Sequence, residues 1–209
     1  MPATNTSYDK LVISLRYYFL GKGYTRASQA LDFAMSIHTG FRADKTTPEF
    51  QHQLEMCHFL RSLSEANLMY PEETYCVMLL HDAYEDYPEK VDLNKIEENY
   101  SKRVRISMVS VSKPANFNKD DQHYYFNPIA RDEIASLVKG IDRINNLGSM
   151  VGVFSKTKQI KYVSEVEVYF LPMLKKARRS FPVQEPLYEN IKYVLNSQIS
   201  LLKEALKYE

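Results

Sequence analysis

The sequence predicts an all-α fold, and two observations carry that expectation. Glycine is scarce, with six among 209 residues. Apolar residues recur at helical spacing, whereas strict alternation of apolar and polar residues is rare. With 44% apolar residues the composition is ordinary for a globular protein, which excludes disorder, and the length suffices to bury a sizeable core. No repeat, low-complexity segment or linker divides the chain, so a single domain over residues 1–209 is expected.

The elements follow in order. A first helix starts near Ser7 or Asp9, runs to about Leu20 and ends at Gly21-Lys22-Gly23. A second spans about Thr25 to His38 and stops at Gly40. Phe41 to Thr46 is a polar loop carrying Arg42, Asp44 and Lys45. Thr47-Pro48-Glu49 reads as a helix start, with a hydroxyl cap, proline at the first helical position and an acid in the first turn. That helix carries His52, Met56, Phe59, Leu60 and Leu63. Pro71-Glu72-Glu73 opens another by the same logic, and Pro88 closes the region after it. Asp92 caps a short helix to about Asn99, and Ser101 caps one to about Ser110. Lys113 to Asn127 is the longest stretch without periodicity, of the kind that forms lids or binding loops. Pro128 restarts helix to about Leu147. A long helix is expected from Ser155 to Arg179, kinked at Pro172. After Pro182 and Pro186, an amphipathic last helix carries Leu187, Ile191, Val194, Ile199, Leu202 and Leu206.

Charge and cysteine usage narrow the function classes. The net charge is +1, which supplies no global drive toward nucleic acid or an anionic membrane. Cys57 and Cys76 both sit in apolar helical patterns, so buried thiols are expected rather than a disulfide. The N-terminal stretch lacks a basic region and a signal-peptide core, and no apolar run is long enough to span a membrane. A cytoplasmic protein is expected.

The stretch Leu79-Leu80-His81-Asp82-Ala83-Tyr84-Glu85-Asp86 carries chemistry. At ~100° per residue, His81, Asp82, Glu85 and Asp86 fall in an arc of roughly 140°. Leu79, Leu80, Ala83, Tyr84 and Val77 fill the opposite arc. Three carboxylates beside an imidazole at the end of an apolar helix are costly to desolvate, and a divalent cation is the simplest compensation. On its own the stretch fits a solvated helix end equally well. His52 on the preceding helix and Asp142 on a later one are the candidate partners. Asp142, Asn145, Asn146 and Ser149 are spaced i, i+3, i+4, i+7 and share a face, which fits a site wall or a plain solvated face. Lys158, Tyr162, Glu165 and Tyr169 form a similar stripe. A His, His, Asp, Asp set suits Mn²⁺, with Fe²⁺, Co²⁺, Mg²⁺ or Zn²⁺ admissible.

Taken together, the order His52, His81-Asp82, Glu85-Asp86, Asp142 resembles the HD superfamily of metal-dependent phosphohydrolases. Within it, the chain is similar to the hydrolase domain of the RelA/SpoT family and its small alarmone hydrolases, from about Ala34 to Ala177. Leu79 to Asp86 resembles the family's leucine-leucine-His-Asp-x-x-Glu-Asp core. Thr47-Pro48-Glu49-Phe50-Gln51-His52 resembles the segment ending in the first metal histidine. Leu137-Val138-Lys139-Gly140-Ile141-Asp142-Arg143-Ile144-Asn145-Asn146 resembles the segment with the last metal aspartate, and Tyr169-Phe170-Leu171-Pro172-Met173-Leu174 a later family helix.

The resemblance implies a compact helical HD-domain bundle with one divalent ion, Mn²⁺ by preference, held between helices by His52, His81, Asp82 and Asp142. It implies Glu85 and Asp86 as the catalytic acids and Asn146 as a contact to substrate or water. Arg42, Lys45, Ser149, Lys158 and Tyr162 are the expected nucleotide contacts. The implied reaction is removal of the 3′-pyrophosphate of guanosine tetra- or pentaphosphate, by a hydrolase without the synthetase domain of the long family members. The expected partner is thus a small nucleotide, with no nucleic acid or membrane. The chain departs from the pattern where His38-Thr39-Gly40-Phe41-Arg42 stands, with Phe41 in place of a glutamine. Asn145 and Gly148 replace other residues common in the family. These positions surround the expected base and ribose pocket, so two alternatives stand beside the alarmone. One is another nucleotide phosphohydrolase, acting on a dNTP, a nucleoside monophosphate or the 2′-phosphate of NADPH. The other is a non-catalytic nucleotide-binding module. His58 and His123 are expected to play no part in the site, and His38 a structural one. The basic run Lys175, Lys176, Arg178, Arg179 suits a helix C-terminus.

Overall fold

The computed structural model describes residues 6–113, 117 and 122–207. The reading of residues 1–5, and that of residues 114–116 and 118–121 in the long loop, lie outside the described residues. The fold is all-helical, with one isolated antiparallel bridge between Phe41 and Pro48 and no strand among the described residues. Nor is any described helix long and apolar enough to cross a membrane. The chain forms two units, residues 1–63 with 70–112, and residues 64–69 with 113–209.

The first unit contains α1 (Thr6–Lys22), α2 (Thr25–Ile37), α3 (Gln51–Ser62), α4 (Pro71–Leu80), α5 (Ala83–Asp86), α6 (Leu93–Asn99) and α7 (Lys102–Val111). Gly23 at φ +71° ends α1, and the Tyr24 N–H returns to the Phe19 carbonyl at 2.9 Å. Such a left-handed cap favours a residue without Cβ. The centre of the unit is α4. Every residue from Thr74 to Leu80 is buried, so this helix has no solvated face, as expected of a segment apolar all round. It packs against α2, α3 and α7. Pro71 opens it, and Arg26 grips Glu72 in its first turn through Nε at 3.0 Å and Nη2 at 2.8 Å. Asp92 and Ser101 cap α6 and α7 as the sequence predicts.

Two expectations here are corrected. Thr47-Pro48-Glu49 does not start a helix, because this segment is drawn into the bridge to Phe41. The Arg42 N–H donates to the Thr47 carbonyl at 2.8 Å and the Glu49 N–H to the Gly40 carbonyl at 3.1 Å, so α3 begins at Gln51. The helix through Leu79 to Asp86 is interrupted at His81-Asp82, although both residues keep right-handed helical dihedrals and the Asp86 N–H still reaches the Asp82 carbonyl at 2.8 Å.

The second unit contains α8 (Gln122–Ile129), α9 (Ala135–Ser149), α10 (Lys156–Glu165), a π-helical turn (Val166–Phe170), α11 (Leu171–Ser180) and α12 (Glu185–Ala205). Three expectations change. The second half of the long loop is helical from Gln122, where aromatic residues supply packing that carries no visible period. Tyr125 and Phe126 are buried, and Phe126 stacks on Tyr169 at 5.6 Å. Pro128 does not restart a helix but sits in the last turn of α8, and α9 follows from Ala135 after a break. Around Pro172 the chain forms a π turn rather than a simple kink. Proline has no N–H for the carbonyl one turn back, and a wider turn accommodates its ring.

Helix α9 packs against α8, α11 and α12. Gly140 lets it approach closely, since a Cβ there would lie 2.9 Å from Ile191 Cγ2 and 3.1 Å from Leu174 Cδ2. Gly140→Val therefore forces these neighbours apart. A loss of about 1–3 kcal/mol is expected from such overpacking, read as a lower urea midpoint with an unchanged slope.

Candidate functional site

The first unit brings together three of the residues chosen from sequence. His81, at the C-terminus of buried α4, has its Nδ1 at 2.9 Å from the Met78 carbonyl. A carbonyl only accepts, so Nδ1 carries the proton and Nε2 of the neutral ring is left with a lone pair. That Nε2 is buried, has no hydrogen-bond partner, and lies 3.1 Å from Asp82 Oδ1. A lone pair facing a carboxylate oxygen at that distance is repulsive unless a positive charge sits beside them. His52, on α3, places Nε2 at 3.9 Å from Asp82 Oδ2. Donor nitrogens of the two histidines lie within 4.8 Å of one another, and their rings are 5.5 Å apart. Two imidazoles flanking one carboxylate, with one imidazole tied through its other nitrogen to a backbone carbonyl, is a build that suits a transition metal.

Residues that the sequence reading passed over complete the surroundings. Gln53, beside His52 and buried, donates from Nε2 to Asp82 Oδ2 at 3.0 Å. Ser112 closes the far side by donating to the His81 carbonyl at 3.1 Å. Glu49 accepts from Tyr87 Oη at 2.6 Å and pairs with His38 Nδ1 at 3.0 Å. Gly40 makes room for Glu49, because a Cβ there would lie 2.5 Å from Glu49 Oε2. The Glu49 hydrogen bond and charge push the Tyr87 phenol up to about 12. None of these partnerships has a local signature, since each joins segments far apart in the chain.

Glu85 and Asp86 follow one turn beyond the donors on α5. Partial burial first, and then the carboxylates of Asp82, Glu85 and Glu49, push the Asp86 carboxyl up to about 6. A carboxyl near neutrality can both take and give a proton.

The second unit presents its own polar cluster on α9. Asp142 has both oxygens held: Oδ1 accepts from Asn146 Nδ2 at 2.6 Å, and Oδ2 lies 3.2 Å from Lys139 Nζ. Both Lys139 and Asp142 are buried, which a solvated face would not require. Next to them, buried Arg143 lies between the rings of Tyr162 (4.4 Å) and Phe170 (4.1 Å) and pairs with Glu165 at 3.0 Å. Tyr162 and Glu165 of the sequence-chosen stripe thus face the interior of this unit rather than forming a plain exposed face. Lys158 stands over Phe154 at 3.4 Å and is 5.9 Å from the Tyr162 ring. Ser149 turns back onto its own helix, donating to the Asn145 carbonyl at 3.0 Å.

Arg42 and Lys45 lie on the loop closed by the Phe41–Pro48 bridge. Asp44 organises it by accepting from the Thr46 and Thr47 N–H groups, both at 2.9 Å, and from the Thr47 hydroxyl at 2.6 Å. Those bonds hold the Asp44 carboxyl down at about 2. Lys45 sits at the tip with φ +60°, a left-handed conformation that costs an L-residue about 1–2 kcal/mol. His58 meets the Leu11 carbonyl, and His123 edges onto Tyr169.

No family model matches the chain, and no curated protein matches it in sequence. Its fold is that of a solved enzyme. One matching structure is of a protein reported as a metazoan ortholog of SpoT that hydrolyzes ppGpp and plays a role in starvation responses. The match covers 83% of this chain and 96% of that one with a TM-score of 0.64, at 17% identity. At that identity the likeness establishes the fold.

The His38 ring offers a test of this arrangement. Burial holds its pKa below the ordinary value despite the pull of Glu49 and Asp82. The folded state therefore refuses a proton that the unfolded chain accepts below about 6.5, so stability falls as pH drops through that value. In His38→Gln this dependence disappears. Urea midpoints between pH 7.5 and 5 should fall more steeply for the wild type than for the variant, and parallel curves would refute the assignment.

Proposed function

We propose that the protein is a metal-dependent (p)ppGpp 3′-pyrophosphohydrolase, converting guanosine tetra- or pentaphosphate and water into GDP or GTP and pyrophosphate. One observation carries the metal dependence: His81 Nε2, buried and unpaired, faces the Asp82 carboxylate while Nδ1 is tied to the Met78 carbonyl. In this reading His52, His81, Asp82 and Asp142 hold one divalent cation. The mixed imidazole and carboxylate donors favour Mn²⁺. The fold shared with the metazoan ppGpp hydrolase supports the alarmone as substrate.

Such an ion, when bound, acidifies a water and polarises a phosphoryl oxygen. The chain's own residues do the rest. Glu85 and Asp86, one turn past His81 and Asp82, orient the attacking water and receive its proton. Asp86, with its carboxyl pushed up to about 6, then returns that proton to the departing 3′-oxygen. Asn146 and Lys139 fix the Asp142 carboxylate by holding one oxygen each. Arg42, Lys45, Ser149, Lys158 and Tyr162 are the proposed nucleotide contacts. Lys158 over Phe154 and the guanidinium of Arg42 suit a base or phosphate.

A second reading keeps the chemistry and changes the nucleotide. It is favoured by Phe41, which is 64% exposed where the family carries a glutamine. An aromatic ring stacks on any base and reads no hydrogen-bonding edge.

Purified protein with Mn²⁺ should release pyrophosphate from ppGpp, lose activity on chelation and regain it on adding Mn²⁺. His81→Ala and Asp82→Ala should abolish turnover, and Glu85→Gln or Asp86→Asn should lower kcat by roughly 10²–10⁴-fold. Chromatography of a panel of ppGpp, dNTPs, nucleoside monophosphates and NADPH identifies the substrate. Intact ppGpp beside a cleaved competitor would replace the alarmone reading with the second one. Failure of the whole panel would leave a binding module.

A further inference from the structure

We infer that Gln53 is a positioning residue, holding the Asp82 carboxylate in the orientation that binds the cation. The inference rests on the metal reading above and extends it to a residue outside the expected ligand set.

The geometry is direct. Gln53 follows His52 on α3, and its side chain crosses to the start of α5. There Nε2 donates to Asp82 Oδ2 at 3.0 Å, while Oδ1 lies toward His81 Nε2 at 3.1 Å. Only the amide nitrogen can donate to a carboxylate, so this bond also fixes which way the amide points. Gln53 Oε1 is then buried with no hydrogen-bond partner.

That arrangement is costly for folding. A buried amide oxygen without a donor loses its hydration and gains nothing in return. A leucine or methionine of similar volume would fill the space without that loss, so packing gives no reason for glutamine here. The bond to Asp82 does. The Asp82 side chain is 30% exposed, and it sits where α4 has ended and α5 has just begun. Its other close neighbours are His81 Nε2 at 3.1 Å, whose lone pair repels it, and His52 Nε2 at 3.9 Å. Without Gln53 the carboxylate is free to rotate toward solvent. With it, one oxygen is pinned and the other stays beside His81 Nε2. Partners of this kind, bonded to a ligand rather than to the metal, typically change metal affinity by 10- to 100-fold.

The test uses the full chain and the metal alone. Mn²⁺ is titrated by calorimetry into metal-free wild type, Gln53→Leu and Gln53→Met, and the thermal midpoint of each metal-free protein is recorded. The positioning role predicts Kd for Mn²⁺ weakened roughly 10- to 100-fold in both variants, with thermal midpoints equal to or above that of the wild type. In the Co²⁺-loaded proteins, the visible absorption should also change shape, reporting altered ligand geometry. Kd values within about twofold of wild type would overturn the role of Gln53 and leave the metal site standing. A weakened Kd accompanied by lowered midpoints in both variants would also overturn it, because the residue would then act through folding. Absence of stoichiometric Mn²⁺ or Co²⁺ binding by the wild type would overturn both the role and the metal reading beneath it.

Discussion

The hydrogen bond from His81 Nδ1 to the Met78 carbonyl decides how the first unit can work. It selects the tautomer, and it fixes the ring so that the lone pair on Nε2 looks toward Asp82 rather than into the apolar interior. The bond exists because α4 is buried on every side and ends abruptly. Its last carbonyls have no further helix to bond to and no water to reach, so the side chain at the end of the helix satisfies one of them. Ser112 Oγ shares its proton between the Met108 carbonyl at 2.8 Å and that of His81 at 3.1 Å. A helix packed against α2, α3 and α7 thereby acts as a rigid mount for a single nitrogen.

What surrounds that nitrogen works against folding in the metal-free state. Three carboxylates lie close enough to Asp86 to raise its pKa, and His38 Nε2, His81 Nε2 and Gln53 Oε1 are buried without partners. The charge repulsion and the unsatisfied atoms belong to one neighbourhood, that of Asp82. In the proposed reading a bound cation offsets the charge repulsion and accepts the His81 Nε2 lone pair. Destabilised groups gathered at one place, beside a core that buries Tyr75 and Leu79, support the proposal that a bound ion is part of the unit's stability.

The sequence revealed what is local and concealed what is tertiary. His81, Asp82, Glu85 and Asp86 fall within six residues, and helical periodicity alone puts them on one side of an apolar segment. Gly23 and the caps Asp92 and Ser101 were equally visible, because a cap depends on neighbours two or three positions away. His38, Gly40, Glu49 and Tyr87 form one hydrogen-bonded group, yet nothing in their spacing marks it, as the contacts arise only after α2 and the 41–48 loop have packed. Proline proved the least transferable signal. Pro48 sits in a bridge, Pro128 within a last turn and Pro172 beside a π turn, because a missing N–H is tolerated wherever the carbonyl it would have served finds another arrangement. The Asp142 face looked the same on paper whether buried or solvated. The burial of Lys139 and Asp142 distinguishes the two, and burial follows from the packing of α9 on its neighbours rather than from spacing.

The loop bearing Arg42 and Lys45 follows a different logic from a flexible lid. Asp44 secures three donors, the Phe41–Pro48 bridge closes the base, and Lys45 is left at the tip in a left-handed conformation. A lysine held there against its backbone preference gains nothing from local packing. Strain of this kind persists only where the surrounding bonds over-determine it, as those of Asp44 and the bridge do here. Preorganisation reduces the entropy lost when a charged ligand is gripped. The exposed Phe41 ring therefore sits on a loop whose backbone is already set. In the proposed reading, a change of nucleotide specificity there would come from replacing one side chain on a fixed frame, with His81 and Asp82 left untouched.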